Sequence, residues 1–264
     1  MKLALIGYGT IAHYVIEQLA NSEHQVAAII TSPSFKAPEG DRLPQDLQFA
    51  KAFADIEGTI DLFVDCAGHG GLMSHGEDIL RAGHDLLTVS IGAFADQSVH
   101  DRLYQAANEG DSNIILASGA IGALDILRSA RTGTLKSVCY KGRKPPKSWK
   151  GSPAENVLDL DGEFEGPQQH FRGTAREAAL QYPKNANVAA AVALSGIGFD
   201  ETMVELVADP SIERNIHEIE AEGAFGKCKF EIECNPMPSN PRTSALAAMS
   251  VIANITQYAE RLKF

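Results

Sequence analysis

Apolar positions in the first third of the chain alternate between short solid runs and helically spaced stripes. Residues 2–6 are one apolar run. Residues 10–20 follow, with Ile11, Val15 and Leu19 at i, i+4 and i+8, a single helical stripe. QVAAIIT at 25–31 and DLFVDCA at 61–67 are the next runs, with a helix expected between them over 47–56. Residues 72–82 and 98–109 read as helices, and 86–90 and 113–117 as strands. This β-α-β alternation predicts a parallel sheet covered on both faces.

After about Leu124 the pattern changes. Residues 135–140 and 203–208 alternate as half-buried strands do. Residues 215–221 and 227–234 form the clearest pair. In the second member Cys228, Phe230, Ile232 and Cys234 share one face, and Lys229, Glu231 and Glu233 the other. The EGAFG between them predicts a hairpin turn. A last helix is expected over 244–262, after the proline-rich NPMPSNP. The second region therefore reads as a largely antiparallel or mixed sheet with helices.

With 264 residues, 44% hydrophobic and 22% charged, the chain is globular, one large domain or two modest ones. Its net charge of −11 argues against nucleic acid as a partner. The purest apolar run, seven residues at 188–194, is far too short to span a membrane. The first residues lack the apolar core of a secretory signal. Cys66, Cys139, Cys228 and Cys234 have neither C-x-x-C nor zinc spacing, so free thiols and a cytoplasmic location are expected.

Gly7-Tyr8-Gly9-Thr10-Ile11-Ala12 reads G-x-G-x-x-A between the first strand and the first helix. That is the dinucleotide fingerprint in its proper context. Gly7 permits the tight turn and Gly9 lets the backbone approach a pyrophosphate. Ala12 allows close helix packing, and the helix N-terminus offers N–H groups to the phosphates. The predicted fold is α/β: a Rossmann-type doubly wound parallel sheet plus a second α+β domain. The acid that would hold an NAD ribose is absent after the second strand. Ile30-Thr31-Ser32-Pro33-Ser34 and Lys36 stand there instead, which predicts that NADP is accepted, alone or beside NAD.

Further stretches carry a resemblance. They are Asp65-Cys66-Ala67-Gly68-His69, Val89-Ser90-Ile91-Gly92-Ala93, Ser118-Gly119-Ala120-Ile121-Gly122 and the Phe171-x-Gly-x-Ala-Arg176-Glu177-Ala178 segment. To these add Tyr182-Pro183-Lys184-Asn185-Ala186-Asn187, Asp209-Pro210 through Arg214-Asn215-Ile216-His217, and Asn240-Pro241-Arg242-Thr243-Ser244. With the glycine loop, they make the chain resemble the L-aspartate dehydrogenase family, collinearly over nearly its whole length. The two F-x-G segments within 164–173 are a local departure.

The resemblance implies oxidative deamination of L-aspartate to oxaloacetate and ammonia through iminoaspartate, with NAD or NADP. It also implies a homodimer and a link to NAD biosynthesis. It makes His217 the catalytic histidine and Ala120 and Asn187 nicotinamide-side contacts. The expected cofactor set is Gly7, Gly9, Thr10, Ile11, Ala12, Ser32, Ala67, Gly68, Ala120 and Asn187. The expected domains are 1–122 completed by 239–264 for the dinucleotide, and 123–238 for substrate and dimerisation.

Amine oxidation needs a neutral amine and later an activated water, and a histidine can serve both steps. By alternation His217 shares an interior face with Ile219 and Ala221. His24, His75, His84, His100 and His170 read as surface or loop residues. His69 and His75 with Asp78 make no metal set, and no metal is expected. The stretch 136–150 holds six basic residues and no acid, and could draw a dicarboxylate. Arg176, Lys184 and Arg242 are further carboxylate candidates; Asn185 or Asn187 would cap the apolar helix. Two rivals remain: a dihydrodipicolinate-reductase-like or homoserine-dehydrogenase-like oxidoreductase, and a non-catalytic nucleotide-sensing module.

Overall fold

The computed structural model describes residues 1–36, 46–183 and 187–262, with the side chains of Pro241 and Arg242 excepted. Expectations placed on Lys184, Asn185 and the Arg242 side chain therefore lie outside the described residues. The chain divides into two compact units. One comprises 1–90, 97–117 and 248–264; the other comprises 91–96 and 118–247. Residues 118–122 and 239–247 thus group with the second unit.

In the first unit, strands β1 (Lys2–Ile6), β2 (Gln25–Ile30), β3 (Gln48–Ala50), β4 (Leu62–Asp65), β5 (Leu86–Thr88) and β6 (Ile114–Leu116) form one sheet. Every pair is parallel, in the order β3-β2-β1-β4-β5-β6. The order reverses between β1 and β4, the switch point outside which ligands bind in doubly wound sheets. Helices α1 (Thr10–Leu19), α2 (His69–Arg81) and α3 (Gln97–Gly110) make the crossovers. Leu3, Leu5, Ile29, Leu62, Val64 and Leu87 are fully buried, as strands covered on both faces must be.

The stretch 47–56 is strand plus a 3-10 turn at Phe53–Asp55, not the expected helix. Its Phe49 and Phe53, four apart, mimic a helical stripe but serve different clusters. Phe49 packs on Tyr8 and Phe35, whereas Phe53 packs on Phe63 and His84. Pairing of 48–50 with β2, and the Asp55 carboxylate accepting from the Lys51 and Ala52 N–H groups, hold the extended path.

The second unit holds α4 (Leu124–Ala130), β7 (Leu135–Lys144), β8 (Gln168–Thr174), α5 (Ala175–Gln181), α6 (Asn187–Ser195), β9 (Met203–Ala208), β10 (Asn215–Gly223) and β11 (Gly226–Cys234). Its sheet runs β11-β10-β7-β9-β8 and is mixed: β7 and β9 are parallel, the other pairs antiparallel. The expected hairpin is present, with Gly223 opposite Gly226. Val138, Tyr140 and Gly142 of β7 lie opposite Ala221, Ile219 and His217 of β10, and all six are buried. That row is the inner face of the sheet. α6 is apolar on every side and buried from Val188 to Ala193.

The segment NPMPSNP becomes a small ribbon, β12 (Pro236–Met237) against β13 (Asn240–Ser244), ahead of α7 (Ala245–Ala259). From Ala248 onward α7 belongs to the first unit, where Val251 and Ile255 join the core around Leu3, Leu5 and Val15. Leu5→Ala in this core should lower the unfolding free energy by about 3 kcal/mol, read from the denaturant midpoint.

Candidate active site

At the switch point the chain leaves β1 through Gly7, whose φ of +90° suits glycine. A Cβ there would stand 2.7 Å from the Ala67 Cβ, and one on Gly71 2.3 Å from the same atom. The turn after β1, the end of β4 and the start of α2 are thus packed backbone to backbone. Gly9 has open space in the Cβ direction and begins α1 with no side-chain cap. These features fit a dinucleotide: a close backbone approach beside an uncapped helix N-terminus.

Asp65, fully buried at the end of β4, orders the strand ends. Its carboxylate accepts from the Ala67 N–H at 2.9 Å, the Thr88 hydroxyl at 2.7 Å and the Ser90 hydroxyl at 2.5 Å. Burial raises the carboxyl's pKa, and the three hydrogen bonds only partly offset this. Ala67 and Gly68, expected at the cofactor, are held on this bracket. Thr10, Ile11 and Ala12 lie in the first turn of α1.

Ser32 is exposed after β2, its hydroxyl 3.3 Å from that of Ser34. The ammonium organised there is that of Lys51 rather than the expected Lys36. Lys51 Nζ donates to the Thr31 hydroxyl (3.1 Å) and to the carbonyls of Ser32 (2.7 Å) and Phe35 (3.1 Å). Lys36 is exposed. Tyr8, Phe35 and Phe49 form an aromatic cluster beside this loop, also unforeseen.

In the second unit His217 is only 3% exposed. Its Nδ1 shares a 2.7 Å hydrogen bond with the Tyr140 hydroxyl. Gly142, the cross-strand neighbour of His217, makes the bond possible, since a Cβ there would stand 2.8 Å from the Tyr140 oxygen. A glycine inside a strand marks such close approach; that was the available signal. Burial, and then the Lys144 charge, lower His217 to about 3, so the ring is neutral. Burial raises the Tyr140 hydroxyl, which stays protonated.

His170 is a correction: it is buried, not a surface residue. Its ring lies 4.4 Å from that of Trp149, and its Nδ1 is 3.2 Å from the Tyr182 hydroxyl. Burial, then Lys144, lower it to about 4. Asn187 opens α6 and accepts the Gly92 N–H at 2.9 Å. The Ala120 carbonyl accepts from the buried Cys234 thiol at 3.5 Å.

A family model, "Aspartate dehydrogenase, C-terminal", matches residues 125–258, and "Homoserine dehydrogenase, NAD binding domain" matches 7–117. The chain is 50% identical to L-aspartate dehydrogenase of Ruegeria pomeroyi, covering 97% of this chain and 92% of that one. It is 42% identical to that of Acinetobacter baumannii, covering 95% of each. The chain belongs to the L-aspartate dehydrogenase family. The crystal structure of aspartate dehydrogenase from Thermotoga maritima matches with a TM-score of 0.79 at 26% identity, covering 100% and 99% of the two chains. As a member of this family the chain is an NAD(P)-dependent amino-acid dehydrogenase. The homoserine dehydrogenase family model matches within the nucleotide half, residues 7–117.

The basic stretch of this family member is dispersed. Arg143 is bound to Asp209 at 2.6 Å and reaches Glu218 at 3.4 Å, and Lys150 pairs with Asp161 at 2.5 Å. Lys136 and Lys147 are exposed. Arg176 is held by both oxygens of Asp200 and by the Ala95 carbonyl. Lys144 Nζ lies 4.9 Å from the Trp149 ring centre. No helix among the described residues is long and apolar enough to cross a membrane.

The two buried imidazoles have an acid signature. Both stay neutral when folded but regain a proton near pH 6.5 when unfolded, so the unfolded state binds more protons below that pH. Stability should therefore fall as pH drops from 6.5 towards 4. The expected loss is roughly 2–4 kcal/mol between pH 7 and 5, by denaturant titration. His170→Gln should shrink it.

Proposed function

We propose that the enzyme converts L-aspartate to oxaloacetate and ammonia through iminoaspartate, reversibly, with His217 moving the protons. The observation that carries this reading is the neutral, buried His217 ring tied at Nδ1 to Tyr140. With Nδ1–H donating to the Tyr140 oxygen, the Nε2 lone pair is the base. It takes a proton from the substrate ammonium and leaves the neutral amine whose Cα–H can depart as hydride. A bound nicotinamide dinucleotide supplies the hydride acceptor. The imidazolium keeps its Nδ1–H on Tyr140. It releases the proton taken from the substrate to solvent. The neutral ring then takes a proton from the water that adds to the iminium carbon and passes it to the nitrogen, which departs with the hydroxyl proton as ammonium.

Gly7, Gly9 and the first turn of α1 hold the pyrophosphate in this reading, and Ala67 and Gly68 border it. Ala120 and Asn187 take the nicotinamide side. Asn187 then acts partly through the Gly92 turn that its carbonyl fixes. Ser32 with Lys51 supports acceptance of a 2′-phosphate, hence NADP as well as NAD. The cytoplasm, a homodimer, and a supply of iminoaspartate to NAD biosynthesis complete the reading.

The test is absorbance at 340 nm with L-aspartate and each cofactor at alkaline pH. Wild type should reduce NADP with L-aspartate and leave L-homoserine untouched. His217→Ala should lower kcat by about 10²–10⁴-fold while the NADPH dissociation constant stays unchanged. Near-normal turnover in that variant would remove His217 from the mechanism.

A further inference from the structure

We propose that Phe230 and Cys234 are positioning residues that hold the 118–122 loop, and with it the nicotinamide of a bound cofactor, in register with His217. This rests on the reading of His217 as the base and of Ala120 as a nicotinamide contact. On β11 the residue opposite His217 is Ile232. Phe230 and Cys234 stand two positions to either side of it, and therefore on the same face of the sheet. The loop is docked at both. The Cys234 thiol donates to the Ala120 carbonyl at 3.5 Å. At Gly122 a Cβ would stand 2.8 Å from the tip of the Phe230 ring and 3.3 Å from the next ring atom. Ala120, Ile121 and Cys234 are all buried.

The path of the loop is imposed by its surroundings. Ala123, which follows it, has a φ of +60°, left-handed backbone that a residue with a side chain keeps only where its neighbours fix it. Gly122 lies outside that region, so the position needs glycine for space and not for conformation. Phe230 is a stop that sets how near the loop comes to β11, and Cys234 is a tie that sets its register. The same thiol neighbours Tyr140, whose hydroxyl it helps burial to raise. One sulfur therefore adjoins both the partner of the His217 ring and the carbonyl of Ala120. Hydride transfer needs the base and the acceptor ring closely placed about one carbon, and these two contacts fix one against the other.

Gly122→Ala tests this, because its methyl group and the Phe230 ring cannot share the space. It should lower kcat for L-aspartate about 30-fold while KM stays within about threefold. The isotope effect on kcat with L-aspartate deuterated at Cα should rise. NADPH should bind about tenfold more weakly, whereas 2′-phospho-ADP-ribose, which has no nicotinamide, should bind as to wild type. Adding Phe230→Leu should bring kcat back to within about threefold of wild type. Should Gly122→Ala fail to fold, Cys234→Ala decides: kcat should drop about fivefold with the same split between the two ligands, and Cys234→Ser, which keeps a donor, should recover it. A Gly122→Ala enzyme within about threefold of wild type in both kcat and NADPH affinity, or a loss that neither Phe230→Leu nor, for Cys234→Ala, serine relieves, would overturn the proposal. If wild type turns over no L-aspartate yet Gly122→Ala still weakens NADPH and not 2′-phospho-ADP-ribose, the loop assignment stands and the substrate reading falls.

Discussion

A histidine set into the apolar face of a β-sheet has to be satisfied without being charged, and the Tyr140–His217 hydrogen bond meets that requirement. Burial alone would leave Nδ1 stranded, at a cost of about 1–3 kcal/mol. The phenol supplies a partner from the neighbouring strand, but its oxygen passes over Gly142 to reach the ring. Three residues on two strands, one of them without a side chain, make a single device. The antiparallel register of β7 and β10 places all of it, so the pair depends on strand pairing rather than on a loop.

The nucleotide unit rests on a different constraint, the closeness of backbones. Gly7 and Gly71 both abut Ala67, leaving no room for two further methyl groups. Asp65 then stops the ends of β4 and β5 from drifting, through three donors gathered on one buried carboxylate. That carboxylate is retained because its partners surround it; without them burial would favour the protonated acid.

Much of this was legible in the residues. Alternating runs and stripes announced the parallel sheet, and the β10–β11 hairpin could be read face by face. The glycine loop declared itself by its position between strand and helix. His217 stood out through its strand parity and the family resemblance. What stayed hidden depends on distant partners. Phe49 and Phe53 imitate a helix until their separate aromatic neighbours are known. His170 reads as a loop residue because Trp149 and Tyr182, which enclose it, are 21 and 12 positions away. Lys51 could not be picked over Lys36, since only folding brings it to the end of β2. The six cations of 136–150 look alike in sequence, and only the fold shows that Arg143 reaches Asp209 and Glu218 and that Lys150 reaches Asp161.

The path of α7 carries a consequence for biogenesis. Its last turns fill the first unit's core beside β1, although some 130 residues of the other unit intervene in the chain. A ribosome therefore exposes the nucleotide sheet long before the segment that seals it has been made. Until residues beyond 248 emerge, the apolar patch that receives Val251 and Ile255 is open to water or to a chaperone. The second unit, contiguous apart from 91–96, can collapse meanwhile, so the sheet that is made before it is sealed after it.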